Sequence, residues 1–183
     1  TMKAYTINIV GAALILGVVG MAADVGWSMG GRIPAVGAPA AEFSLVDLQG
    51  KTHSLAQYKG QVVLLNFWAT WCKPCTTEMP AMQSAYDQFR EKGFVVLAVN
   101  ELEDDVKVRE HIKAYGHTFP VLMDHENRVA NMYGVFGLPV SVFIDEQGVV
   151  REYIKGGLLT EQKIHEVMTR LKGQPTLKAA SLH

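Results

Sequence analysis

Leu65-Asn66-Phe67-Trp68-Ala69-Thr70-Trp71-Cys72-Lys73-Pro74-Cys75 is the stretch that decides the fold of this chain. It closes an apolar run over residues 62–68 that only Asn66 interrupts, the pattern of a strand buried on both faces. After it, Met79, Met82, Tyr86 and Phe89 recur at helical spacing until Gly93, so residues 74–92 read as a helix. The two cysteines of the chain therefore stand where a buried strand hands over to a helix. The unpaired amides of a helix start, and the neighbouring Lys73, both favour a thiolate at Cys72. Two intervening residues bring Cys75 within disulfide reach, and Pro74 fits a first turn whose amides lack partners anyway.

This pair suits thiol exchange. A Cys72 thiolate attacks a substrate disulfide, and Cys75 then resolves the mixed disulfide and closes a Cys72–Cys75 bridge. Glu78 lies one turn beyond Cys75 on the same helix face. From spacing alone it is either a proton carrier for the Cys75 thiol or a carboxylate that suits the first turns of a helix. Pro80 inside the same helix removes an amide donor and crowds Thr76, so a kink is expected there. Two cysteines supply neither a disulfide framework nor the four ligands of a structural zinc site, and no cofactor beyond the redox pair is expected.

Outward from the motif, the chain alternates strands and helices. Residues 43–46 and 52–55 flank the turn Asp47-Leu48-Gln49-Gly50 and form an N-terminal β-hairpin extension. A buried strand covers 94–99. Asp104 and Asp105 start a helix with Val108, Ile112 and Tyr115 on one face, ended by Gly116. A short strand over 119–123 and a short helix over 126–133 follow. Residues 140–144 and 149–154 form a second hairpin around Asp145-Glu146-Gln147-Gly148. Thr160 caps a last helix with Ile164, Val167, Met168 and Leu171 inward, stopped by Gly173 and Pro175. The expected class is α/β: a mixed central sheet with helices on both faces.

The 183 residues are 49% hydrophobic with a formal net charge of -1, enough for one core, and without a basic block to support nucleic-acid binding. Residues 7–23 are apolar apart from Asn8, and read as an uncleaved signal-anchor (transmembrane) helix or as a cleavable leader. The resulting division is an anchor over 1–29, a Gly/Pro/Ala-rich linker over 30–39, a catalytic domain over 40–173 and a flexible tail over 174–183. An export signal places the cysteines in an oxidising compartment, where a dithiol needs a dedicated source of electrons. No sequence feature calls for an obligate oligomer, so a monomer is expected.

The chain resembles the ResA/TlpA group of membrane-anchored thioredoxin-like proteins, most closely the ResA branch. The resemblance spans roughly Gly37 to Lys172. It rests on the motif above, on Glu78-Met79-Pro80, on Tyr115-Gly116 through Phe119-Pro120-Val121, and on Gly137-Leu138-Pro139 followed by Phe143-Ile144-Asp145. It implies a thioredoxin fold, with Pro139 as a cis-proline facing the cysteines and the Leu138 backbone pairing with substrate in strand fashion. Trp71 and Pro74 would complete the substrate-binding surface. Glu78 would be the active-site acid, since Asn66 stands where ordinary thioredoxins carry a buried Asp. The implied activity is protein-disulfide reduction in the bacterial cell envelope, on the extracytoplasmic side, for instance of apocytochrome c before haem attachment. Electrons would come from a membrane thiol carrier of the CcdA type.

Two positions depart from the group. Val140 stands where many relatives have Thr, and Lys73 stands where an acidic residue can occur. Lys73 would tune the redox pair, making the disulfide more oxidising. Two other functions fit less well. A Cu(I) metallochaperone would use the thiolates with His125 of Asp124-His125, but such proteins usually separate their cysteines by three residues. A peroxiredoxin-like peroxidase shares the hairpin-first layout, but Cys72 lacks the upstream Pro and Thr arrangement of a peroxidatic cysteine.

Overall fold

The computed structural model describes residues 32–157 and 159–173. The expected anchor and tail lie outside these residues. Among the described residues no helix is long and apolar enough to cross a membrane.

The strands are β1 (Ser44–Asp47), β2 (Thr52–Ser54), β3 (Val62–Trp68), β4 (Phe94–Glu101), β5 (Val121–Asp124), β6 (Val140–Ile144) and β7 (Val150–Lys155). The helices are α1 (Lys73–Phe89), α2 (Asp105–Tyr115), α3 (Arg128–Met132) and α4 (Glu161–Gly173), with single 3-10 turns at Leu55–Tyr58 and Arg90–Lys92. One seven-stranded sheet runs in the order β2-β1-β5-β4-β3-β6-β7. The β3, β4 and β5 strands are parallel, as strand–helix–strand connections require, and both hairpins join antiparallel. This is a thioredoxin-like α/β fold with a mixed sheet.

Alternate side chains of the apolar central strands leave on opposite faces, so the sheet needs cover on both. One face carries Leu64, Trp68, Val96 and Phe143 under α1, α2 and α4. The other carries Leu65, Phe67, Leu97 and Val142 under α3, Tyr133 and the hairpin residues Phe43 and Leu45. Met79 and Met82 of α1 and all four expected residues of α4 are buried. Tyr115 is not: it is 62% exposed, and its ring packs on His111 and His117 at the end of α2.

Local chemistry explains where the elements stop. Asp47 accepts from the amides of Gln49 and Lys51, closing the first turn. The Asp104 side chain caps α2 through the Val106 amide, and Thr160 accepts from the Lys163 amide at the start of α4. The fifth strand begins at Val121 rather than at residue 119, because Pro120 has no amide; its carbonyl still accepts from Ala98. The third helix is shorter than the pattern suggests. Asp124 gathers the amides of Arg128, Val129 and Ala130, and Asn127 just before them adopts a left-handed φ of 54°.

The end of the expected linker is docked. Backbone bonds from Gly37 to Val150, from Ala40 to Gly148 and from Val150 to Ala38 lay this stretch along the start of β7, covering that part of a sheet edge. Further back, the Arg32–Ile33 backbone crosses Gly134, whose φ is +64°. A Cβ there would lie 2.6 Å from the Ile33 nitrogen. Gly134→Ala is expected to lower stability by about 1–2 kcal/mol, from the left-handed conformation alone. Urea unfolding of the two proteins measures it.

Candidate functional site

The β3 strand ends at Trp68, and the chain turns at once: the Cys72 amide donates to the Ala69 carbonyl at 3.1 Å. Cys72 is the N-cap residue of α1, and its sulfur accepts from the Cys75 amide at 3.3 Å. A sulfur thus takes the place that Ser or Asp usually fills at a helix start, beside the positive end of the helix dipole. Cys72 and Cys75 are joined in a disulfide. Both are buried, Cys72 being 4% exposed, whereas the flanking Trp71 is 69% exposed and Lys73 and Pro74 also face solvent.

The β6 strand lies against β3, with Val140 opposite Phe67. That register brings Leu138-Pro139 to the same end of the sheet as the Cys72 turn. The Leu138–Pro139 peptide bond is cis, in agreement with the resemblance. Pro139 is buried, and its carbonyl accepts from the Gly156 amide at 2.9 Å. Phe136, just upstream, is 80% exposed. Asn66 is buried and donates to the Ser141 hydroxyl at 3.0 Å, so this polar residue of the central strand is neutral.

Glu78 is 4% exposed. One carboxylate oxygen accepts from the Leu159 amide at 2.8 Å, and the other, Oε2, is buried with no hydrogen-bond partner among the described residues. Burial pushes the carboxyl up to about 7, with the Leu159 bond opposing the rise. Gly157 makes room for this arrangement: a Cβ at that position would meet the Pro74 ring at 2.9 Å. The acid is thus clasped between the first turns of α1 and the segment entering α4.

A second carboxylate was not among the sequence candidates. Glu103 follows β4 and receives four hydrogen bonds. The Thr70 amide and the Asn100 side chain reach Oε2 at 2.6 and 2.9 Å, and the Thr70 hydroxyl and Lys107 reach Oε1 at 2.6 Å each. It sits in the run Glu101-Leu102-Glu103-Asp104-Asp105, whose helix-capping reading masks it. The available signal was Asn100, a polar residue closing an otherwise apolar strand. Glu101, on the other side of Leu102 in the chain, is instead pushed up to about 7, by burial and then by Asp124 beside it.

His125, the residue a copper site would recruit, is paired with Asp105 at 3.1 Å. Among the described residues no group of three or more His, Cys, Asp or Glu side chains is arranged to hold a metal ion.

Comparison with known proteins agrees with this geometry. The AhpC/TSA family model matches residues 36–153. The thiol-disulfide oxidoreductase ResA of Geobacillus thermodenitrificans is 41% identical over 138 residues, covering 75% of this chain and 79% of the relative. The ResA of Bacillus subtilis strain 168 is 39% identical over 136 residues, covering 74% and 75%. Among solved structures, a thiol:disulfide interchange protein of the thioredoxin family from Chlorobium tepidum superposes with a TM-score of 0.68 at 30% identity, covering 75% of this chain and 97% of that one. With the disulfide-bonded cysteines at its strand-to-helix junction, the chain belongs to the AhpC/TSA family and, by these similarities, to the ResA thiol–disulfide oxidoreductases.

Proposed function

We propose that this enzyme reduces disulfides of protein substrates outside the cytoplasm, with Cys72 as the attacking thiol, Cys75 as the resolving thiol and Glu78 as the proton carrier. The observation that supports it most is Cys72 Sγ accepting the Cys75 amide at the start of α1, a position that stabilises a thiolate in the reduced protein.

The Cys72 thiolate attacks one sulfur of the substrate, forms a mixed disulfide and expels the other substrate sulfur as a thiolate. The Cys75 thiol then loses its proton and attacks the Cys72 sulfur. That step breaks the mixed disulfide, releases the second substrate thiolate and forms Cys72–Cys75. Two electrons pass from the dithiol to the substrate. A carboxyl poised near 7 can take the Cys75 proton at neutral pH, and buried Glu78 is such a group one turn away. Trp71 and Pro74 at the mouth of the site, with the Leu138-Pro139 backbone across from them, would receive an extended substrate segment.

The resemblance carries the narrower parts of the proposal: apocytochrome c as a substrate, a CcdA-type membrane carrier as the electron source, and an N-terminal anchor in the bacterial envelope. The test is reductant-driven cleavage of a disulfide-linked model protein by the full chain. Turnover that disappears in Cys72→Ser supports the proposal, and turnover that persists overturns it.

Lys73 is the exposed cation next to the attacking sulfur. Lys73→Glu reverses that charge, so the disulfide should become harder to reduce. The expected fall in reduction potential is on the order of 20 mV, the size of an exposed charge change at a helix end. Equilibration of both proteins in glutathione buffers measures it, and equal potentials would remove Lys73 from the account.

A further inference from the structure

We infer that Glu103 is the positioning residue of the Cys72 turn, a carboxylate that fixes Thr70 and, through Thr70, the place of the Cys72 sulfur at the start of α1. The inference rests on the reading of Cys72 as the attacking thiol.

The turn from Ala69 to Cys72 is closed by one backbone bond, and Thr70 is its second residue. Thr70 is held twice by the same side chain, through its amide and its hydroxyl, each at 2.6 Å. Trp71, the next residue, is largely exposed. The Glu103 clasp is therefore the side-chain attachment between this turn and the rest of the sheet among the described hydrogen bonds. Charge-assisted bonds are the strong ones, and a carboxylate matches two donors on one residue as no neutral side chain does.

The stretch that delivers Glu103 is costly by itself. Asn100 is fully buried, Leu102 adopts a left-handed φ of 59°, and Glu103 is an almost buried anion. A leucine in that conformation is strained, and a buried carboxylate is unfavourable unless its oxygens are filled. All of this is offset when the carboxylate lands on Thr70. A role in packing alone would be met by an apolar residue at no such cost.

An anion held against Thr70, two residues before Cys72, would by itself oppose a thiolate there. Lys107, bonded to Oε1, neutralises it in place. The carboxylate so supplies charge-strength bonds to the turn while its own charge is balanced by Lys107. Burial raises the Glu103 carboxyl, but the bonds from Lys107, Thr70 and Asn100 outweigh it and hold the group at about 2. The clasp is ionised throughout the neutral range.

The test uses the full reduced chain, oxidised glutathione as the disulfide probe, and ultraviolet titration of the Cys72 thiolate. Glu103→Ala is expected to slow exchange about tenfold, because it frees the turn that places the sulfur. It should also move the Cys72 titration to higher pH. Glu103→Gln keeps an oxygen for the Thr70 amide and should lose less. Thr70→Val removes only the hydroxyl donor and should shift both readouts in the same direction. The Thr70→Val/Glu103→Ala pair should be no worse than Glu103→Ala alone, since both act through one contact. If Glu103→Ala does not fold, Thr70→Val and Glu103→Gln carry the test. A lowered unfolding midpoint with native titration and native rate would overturn the inference in favour of a structural role. An equal shift to lower pH in Glu103→Gln and Glu103→Ala would overturn it in favour of charge alone. An unsubstituted protein inert to oxidised glutathione would overturn the reading of Cys72 itself.

Discussion

Cys75→Ser is expected to leave the protein covalently joined to its substrate. The variant keeps the Cys72 thiol at the start of α1, so attack and mixed-disulfide formation proceed. The second step has lost its nucleophile. Cys75 lies in the first turn of the same helix, bonded to Cys72 in the oxidised state. An intramolecular thiol so placed acts at an effective concentration of about 10⁵ M or more, far above any external thiol. Multiple turnover should therefore fall by about a thousandfold or more, while a single equivalent of mixed disulfide accumulates and is visible on non-reducing gels. Cys72→Ser should form no such adduct. An adduct on Cys75 in that variant would reverse the assignment of the two thiols.

Glu78→Gln carries the next largest expectation, with two separate signatures. The first is kinetic. If Glu78 accepts the Cys75 proton, release of reduced substrate should rise as the carboxylate ionises through about 7. Glu78→Gln should flatten that rise and slow release on the order of a hundredfold at neutral pH. The rate of the first attack, at Cys72, should change far less, which stopped-flow measurement of the two steps can separate.

The second signature is thermodynamic. Glu78 has its carboxyl raised from 4.5 to about 7 in the folded protein. Between these values the folded state holds a proton that the unfolded chain has lost, so stability falls as pH rises through this window. The penalty is absent below 4.5 and complete above 7. A shift of that size corresponds to about 3 kcal/mol. The stability of Glu78→Gln relative to the unsubstituted protein should accordingly increase from pH 4.5 to pH 7 by up to that amount. Glu103 has the opposite sign: its carboxyl lies below its ordinary value, so its stabilisation is present above 4.5 and is lost as pH falls towards 2. Urea unfolding at a series of pH values separates the two. A Glu78→Gln difference that does not vary with pH would show that the carboxyl is not raised.

The sequence was most legible where the controlling interactions are local. Strand β3, the start of α1 and the caps at Asp104 and Thr160 depend on residues within a few positions, and they stand where the pattern puts them. The junction with its two cysteines was readable for the same reason. Long-range pairings were not. That β1 would lie antiparallel to β5, Val46 opposite Met123, follows from how the sheet closes and not from either segment alone. The docking of residues 37–40 along the start of β7 is of the same kind: Gly, Ala and Pro look like a linker until a sheet edge is there to receive their backbone.

Within the site, the missed residue is instructive. Glu103 reaches Thr70 across 33 positions, and in the sequence it is one acid in a run of acids at a helix start. Its partners are a backbone amide, a hydroxyl, a buried amide and a lysine, and no spacing rule links these. Glu78 was visible because it shares a helix with the cysteines. Its bond to the Leu159 amide became evident only once α4 was packed against α1.

The most direct measurement is the reduction potential of the Cys72/Cys75 pair in the full chain, equilibrated against defined thiol buffers. Trp68 and Trp71 lie beside the pair in sequence and can report its state by fluorescence. The account predicts a potential at or below about -230 mV, towards the thioredoxin end of the range, where the dithiol can pass electrons to substrate disulfides. A value near about -120 mV, that of a strong oxidant, would contradict it and make the protein a donor of disulfides instead.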